Sequence, residues 1–468
     1  MLDFLIYMKS ELMVTLIIFV LLIIKLGKGI SNEKLLGLTQ ILLLINVIVA
    51  AVWNTEGTLF GDMFVTNKLI GIQKTILSLG VYLISLSFPG WCKKSEHLTE
   101  FMVLVLSSLL GMYFLLSSGN ILILFLSIEL ATLPVAALAN FDLDKKKSAE
   151  AAMKMILNSA FSTAMFLFGA SFLYGATGTI AFSALSVTTA MNGLQLMAFV
   201  FLFSAFAFKL SAVPFHLWTD DVYEGSPIPV TAFLSVISKA AFSFILVTIL
   251  YKALLPLESA WYWLMVALSI ATMLTGNLFA LRQTNIRRFL AFSSIAQVGF
   301  ILAGISGGEL TGQTSVTYFI LIYLFSNLAA FGVAGVLCDQ AGIEDIGGLK
   351  GLRQTNPFLA WMMALALFSL AGIPPTAGFF GKIFLLGSGA SRGHIWFILI
   401  AALNMVISLY YYLKIIRVMF MEKPLIEGAI INTDRQVKFS LMVCAAGILF
   451  TGVFSWVYDF IFLVSSKQ

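Results

Sequence analysis

Apolar runs long enough to cross a bilayer follow one another along almost the whole chain, and nothing else in the sequence limits its fold as strongly. They lie near residues 11–27, 35–54, 66–88, 99–117, 120–139, 149–174, 193–216, 228–251, 259–280, 288–307, 313–337, 357–387, 394–416 and 438–463. Each is close to the roughly 20 residues that a helix needs to span the hydrocarbon layer. Backbone groups in lipid must pair within a segment or within a closed barrel, so continuous runs predict helices. Barrel strands would alternate over about ten residues instead. The expected fold class is an all-α polytopic membrane protein of about 14 transmembrane helices, a single integral membrane domain over residues 1–468. Composition agrees, because only 11% of the residues are charged and a soluble domain has about twice that fraction. The 357–387 run is long for one span and contains "GIPPTAGFFGK", which predicts a broken helix.

Alternate loops separate the basic residues. "KLGKGISNEK", "WCKKSEH", "DLDKKKSAE", "RQTNIRRF", "GGLKGLR" and "KPLIEGAIINTDRQVK" all fall on one side and hold most of the Lys and Arg outside the spans. The positive-inside rule places that side in the cytoplasm and both termini outside. It also accounts for the net charge of +5 without a nucleic-acid partner. Cys92, Cys338 and Cys444 form no CxxC pair, and no G-x-G-x-x-G follows a strand-like run. The chain is therefore expected to hold no metal, iron–sulfur or dinucleotide cofactor, and any redox chemistry belongs to another subunit. Asp3 and Glu11 precede "LMVTLIIFVLLII" and Lys25 follows it, so this segment reads as a retained first helix rather than a cleaved signal. The longest hydrophilic connection, residues 418 to 437, is expected on the membrane surface or against a neighbouring subunit.

Ionisable residues within spans are functional candidates, because each costs at least ~2.5–3.5 kcal/mol at the bilayer centre. Glu129 lies in "NILILFLSIELATLPVAAL", five residues before Pro134. Lys209 and Lys239 lie in consecutive spans, the first near Pro214 and the second after Pro227 and Pro229. Lys382 follows "GIPPTAGFFG". Lysines beside helix breaks predict a hydrated polar interior, since unpaired backbone at that depth must be met by protein or water. The shared arrangement at Lys209 and Lys382 suggests an internal repeat. Lys154 has Glu150 four residues before it and reads either as a surface pair or as a buried group. Lys74 reads as snorkelling or pore-lining. His216 either extends a proton relay or caps a broken helix. Asp220, Asp221 and Glu224 in "WTDDVYEGSP" read first as capping and turn residues, and second as a proton-attracting entrance. Burial lowers a lysine's pKa and a nearby carboxylate raises it, so proton transfer is the chemistry these groups support.

"FKLSAVPFHLWTDDVYEGSPIPVTAFLSVISKAAF", "LRQTNIRRFLAFSSIAQVGF" and "FSLAGIPPTAGFFGKIFLL" resemble, in order, motifs of the antiporter-like membrane subunits of respiratory complex I. The likeness extends over nearly the whole chain. "EAAMKMILNSAFSTAMFLFGASFLYG" is most similar to the bacterial N-type members. L-type members are longer, and M-type members typically carry a glutamate at the position of Lys382. The resemblance implies two inverted five-helix repeats with broken helices, about 99–251 and 259–416. It implies that Glu129 modulates a neighbouring lysine, that Lys209 and Lys382 are the broken-helix lysines of two half-channels, and that Lys239 connects them. Lys154 matches a lysine often present in N-type members. Flavin, iron–sulfur clusters and quinone reduction would belong to partner subunits, and the chain would sit in the bacterial plasma membrane among other membrane subunits. A multi-subunit sodium/proton antiporter or a membrane-bound hydrogenase-type complex shares these motifs.

Overall fold

The computed structural model describes residues 2–27, 30–53, 55–185, 193–424 and 431–467. The long helices are α1 (Lys9–Leu26), α2 (Asn32–Ala50), α3 (Lys68–Ser87), α4 (Leu98–Leu116), α5 (Ile121–Ala139), α6 (Lys146–Thr177) and α7 (Gly193–Leu210). A short α8 (Thr219–Gly225) precedes α9 (Ile228–Lys252), α10 (Glu258–Ala280), α11 (Ile286–Ile305) and α12 (Glu309–Ala341). Two half-length helices, α13 (Pro357–Ala371) and α14 (Ala377–Ala390), lead into α15 (Ile395–Met421), α16 (Arg435–Val453) and α17 (Trp456–Ser465). A two-stranded hairpin, β1 (Gly57–Leu59) with β2 (Phe64–Thr66), joins α2 to α3.

Twelve helices among the described residues are long and apolar enough to cross a bilayer. α1 falls outside that set because Lys9, Glu11 and Lys25 lie within its 18 residues. The 357–387 run is the broken pair α13 and α14, as the prolines required. Two expected spans end early. The 193–216 run stops at Leu210, where Ser211 takes a φ of 61°. The 438–463 run stops at Val453, beyond which Phe454 is extended and α17 begins anew. Residues 425–430 of the hydrophilic connection after α15 lie outside the described residues.

Local chemistry sets several boundaries. Asn67, Asn120 and Asn285 cap α3, α5 and α11 by accepting hydrogen bonds from N–H groups of the first turn, which have no partner inside the helix. Helix pairs then close on small residues. A side chain at Gly111 of α4 would run into the Ala131 backbone of α5, and one at Gly276 of α10 into the Ala296 backbone of α11. Next to these contacts Ser108 donates to the Ala131 carbonyl at 2.6 Å and Ser269 to the Gly299 carbonyl at 2.7 Å. Lipid gives no hydrophobic reason for helices to associate, so this close approach and hydrogen bonding hold the pairs together.

Three helices are enclosed on every side. In an 18-residue apolar stretch of each helix, buried residues make up 89% in α9 and 94% in α11 and α12, against 22% in α6 at the rim. A helix that is apolar all round and enclosed in protein is free to carry polar residues that meet other helices rather than lipid. Lys74 of α3 corrects the sequence reading, for it neither snorkels nor lines a pore. Its ammonium pairs with Glu11 of α1 at 2.6 Å, and the two side chains are 3% and 2% exposed.

Candidate functional site

Lys209, Lys239 and Lys382 are 7%, 2% and 0% exposed. Their ammonium groups donate to neutral oxygens. Lys209 reaches the Ser159 hydroxyl at 2.5 Å, Lys239 the Ser294 hydroxyl at 2.7 Å, and Lys382 the Leu370 carbonyl at 2.7 Å. Among the described residues no carboxylate stands within ion-pair distance of any of the three, and each ammonium is met by a hydroxyl or a carbonyl.

The setting of Lys209 follows from the break after α7. The chain turns at Ser211, and the carbonyls left at the helix end are met locally. Ala212 N–H bonds the Ala207 carbonyl at 2.8 Å, and the Trp218 indole bonds the Phe208 carbonyl at 3.2 Å. Lys209 projects from the last turn toward α6. On that helix Ser159 holds Lys209, and Thr163, one turn further, donates to Glu129 at 2.5 Å. Glu129 and Lys209 are thus joined to hydroxyls one turn apart rather than to each other. Two small voids flank Lys209. One lies toward Phe125 and Thr163, and the other runs past Ser159 and Trp218 to Ser238, the residue before Lys239.

Lys239 is not beside a helix break. Pro227 and Pro229 stand at the start of α9, where proline costs no hydrogen bond. The local feature is a π-helical turn over Leu234–Ser238 that ends at Lys239, a geometry frequent at functional sites. Ser235 in that turn hydrogen-bonds Tyr323 at 3.2 Å and accepts from Asn327 at 2.6 Å.

From Lys239 a line of polar groups continues through α11 to the second break. Ser294 is followed by its neighbour Ser293, which bonds the Tyr412 hydroxyl at 2.5 Å. Gln297 donates to that hydroxyl at 3.2 Å and to the Leu370 carbonyl at 3.1 Å. Leu370 and Ala371 end α13, and both carbonyls accept from Lys382, at 2.7 and 3.4 Å. Lys382 itself lies in α14, but its ammonium reaches back across the break to the negative end of the α13 dipole. Beyond Tyr412, Tyr411 donates to Asn277 at 2.9 Å, and Asn277 donates to Asn404 at 3.0 Å. Sequence reasoning missed Ser159, Ser294, Gln297 and Tyr412. The Ser293 and Gln297 spacing, one turn apart inside an apolar run, was the available signal.

The remaining candidates gather at the end of α6 and at α8. Lys154 bonds Glu150 at 2.5 Å and Asp221 at 2.6 Å with its side chain 37% exposed, so it is a partly solvated ion-pair member. His216 lies in the turn after α7, its ring Nδ1 buried without a hydrogen-bond partner among the described residues. Asp220, Asp221 and Glu224 do more than cap and turn the chain, because their side chains are engaged across helices. Arg288 pairs with Asp220, with Asp221 at 3.1 Å and with Glu224 at 2.8 Å. Lys147 also holds Glu224 at 2.7 Å. Burial pushes the Asp220 carboxyl above its usual range, against the pull of Arg288. Burial acts the same way on Glu224, but hydrogen bonds from Arg288 and Lys147 outweigh it and bring that carboxyl below its usual value.

A family model described as NADH:quinone oxidoreductase/Mrp antiporter, transmembrane, matches residues 118–408. The chain is 45% identical over 417 residues to a protein of Azobacteroides pseudotrichonymphae named NADH-quinone oxidoreductase subunit N, covering 87% of this chain and 86% of that one. It is 41% identical to a protein of the same name from Phocaeicola vulgatus, over 97% of both. Among solved structures, a chain of respiratory complex I from Thermus thermophilus matches with a TM-score of 0.80 at 26% identity, over 95% of this chain and 97% of that one. A chain of the Mrp complex from Dietzia has a TM-score of 0.83 at 20% identity, over 100% of this chain and 97% of that one, a likeness of fold alone.

Proposed function

The chain belongs to the NADH:quinone oxidoreductase/Mrp antiporter transmembrane family, and from that premise we propose that it is the N-type proton-translocating subunit of an NADH–quinone oxidoreductase. The observation that carries the reading is the buried row of polar groups between Lys239 and Lys382: Lys239 bonds Ser294, the adjacent Ser293 bonds Tyr412, Gln297 bonds Tyr412, and Gln297 and Lys382 share the Leu370 carbonyl. Such a row supports proton movement between the lysines. This subunit is read as non-redox, with flavin, iron–sulfur clusters and quinone reduction assigned to partner subunits.

In this reading protons enter from the cytoplasm near α6 and α8 and load Lys209. Glu129, held by Thr163, biases Lys209 toward its charged form, and withdrawing that carboxylate releases the proton toward Lys239. The proton then moves along the α11 line to Lys382 and leaves on the far side. Residues 99–251 and 259–416 form the two repeats. The paired glycine contacts at Gly111 and Gly276, and the two breaks at Ser211 and Gly372, support that division. Both termini face outward, and the membrane is the bacterial plasma membrane.

The first test is to tag the chain, solubilise membranes gently, and assay the purified assembly for NADH-driven quinone reduction while identifying its partners. Activity with flavin and iron–sulfur subunits present is the expected result. An assembly of small membrane subunits without redox activity would transfer the same residues to a cation/proton antiporter. A second expectation concerns the line itself. Gln297→Leu keeps the side chain's bulk but removes the donor to Tyr412 and Leu370, so dye-monitored proton pumping in vesicles should fall several-fold in the assembled complex. Unchanged pumping would take Gln297 off the path.

A further inference from the structure

Arg287 and Arg288 occupy the first turn of α11, where the helix dipole disfavours cations. Arg288 is held there by the three carboxylates of α8, which follow directly on the break that carries Lys209. Two of those acids have other partners, since Asp221 also meets Lys154 and Glu224 also meets Lys147. Asp220, among the described residues, has Arg288 as its only ion-pair partner.

α8 is also bound to the lid over Lys209. Trp218, the residue before α8, stacks on Phe208 with ring centroids 5.4 Å apart, hydrogen-bonds the Phe208 carbonyl, and lines the void beside Lys209. Any tilt of α8 therefore moves the indole that closes this void. Arg288 fixes α8 from α11, the helix that bears Ser293, Ser294 and Gln297. The entry side of one half of the molecule is in this way tied to the polar line of the other.

We propose that Arg288 is a positioning residue: by holding Asp220 it keeps α8 down and Trp218 seated, and so sets cytoplasmic proton access to Lys209 from the second half of the molecule. This rests on the proton-translocation reading above. The charged groups around the Arg288–Asp220 contact are Asp221 and Glu224 on α8, Lys147, Glu150 and Lys154 on α6, and Arg287 with its partner Glu344. His216 stands close enough on the preceding turn to feel the Asp220 charge. Without Arg288 this neighbourhood leaves Asp220 partly buried and unpaired. The seat is then kept only where Asp220 is protonated, and it is lost as pH rises.

The test uses the whole complex with Arg288→Gln, Arg288→Lys, and Arg288→Gln combined with Asp220→Asn. Arg288→Gln should assemble, pump near normally at low pH, and lose pumping several-fold toward high pH. Arg288→Lys should retain most of the wild-type profile, and adding Asp220→Asn should restore the alkaline side. A uniformly scaled profile, a loss that tracks the amount of assembled subunit, or a double variant no better than the single one would overturn the proposal. Hydrogen exchange of the backbone amides over residues 219–225 gives a readout independent of pumping. It should rise in Arg288→Gln, and unchanged protection would also overturn the proposal. An unmutated complex that moves no protons, together with raised exchange in Arg288→Gln, would sink the parent reading and leave the Arg288 clamp standing.

Discussion

Lys209→Ala should leave a complex that assembles and reduces quinone but pumps protons roughly a hundredfold more slowly or worse, the lower end of what a positioned proton-transfer group contributes. The ammonium lies between two voids, one leading toward Thr163, which holds Glu129, and one toward Ser238 beside Lys239. Alanine removes the lysine that, with Phe242, lines both of them and is the proton-carrying group between them. Assembly should survive, because the helix end is secured by backbone and indole hydrogen bonds rather than by the lysine. Lys209→Arg should fail as well, for a reason that separates proton transfer from packing. The guanidinium keeps the charge and the donors but does not deprotonate in proteins. Pumping is read by dye quenching in inverted vesicles against quinone reduction in the same vesicles. Full pumping in either assembled variant would remove Lys209 from the path.

The second large effect is on stability. Glu11→Ala strips the Lys74 ammonium of its partner in a site 3% exposed. Breaking a buried pair from one side costs about 3–5 kcal/mol, whereas replacing both partners by apolar groups of similar volume is often neutral. Glu11→Ala should therefore sharply reduce the yield and thermal stability of the subunit. Glu11→Met combined with Lys74→Met should recover most of both. The ion pair ties α1 to α3, and α3 in turn packs on the π-helical turn before Lys239, where Gly80 leaves room for Ile237. Loosening α1 should then also disturb pumping, and the double variant should restore it. Single and double variants equally stable would show that the pair contributes little.

Some of the site was legible without the fold. Lys209, Lys239, Lys382 and Glu129 stand out because a charge in an apolar run is costly wherever its neighbours are. The breaks were marked by Pro214 and by Pro374 and Pro375 to within a few residues. What those charges meet was not legible. Serine, tyrosine and glutamine cost little in a membrane helix, so Ser159, Ser294, Tyr412 and Gln297 leave no mark in hydropathy. Glu11 and Lys74 are separated by the whole of α2 and a hairpin, and Asp220 and Arg288 by two long helices.

The bilayer imposes its demands one segment at a time, through span length, backbone pairing and the cost of each charge. For that reason the linear sequence alone determined the fold class, most of the spans and the costly residues. The partner of a buried charge is chosen by whichever helix packs beside it, a matter of side-by-side geometry between distant segments. Only the tertiary structure could decide that Lys74 is a structural pair, that the three acids of α8 converge on Arg288, and that one row of buried polar groups lies between Lys239 and Lys382.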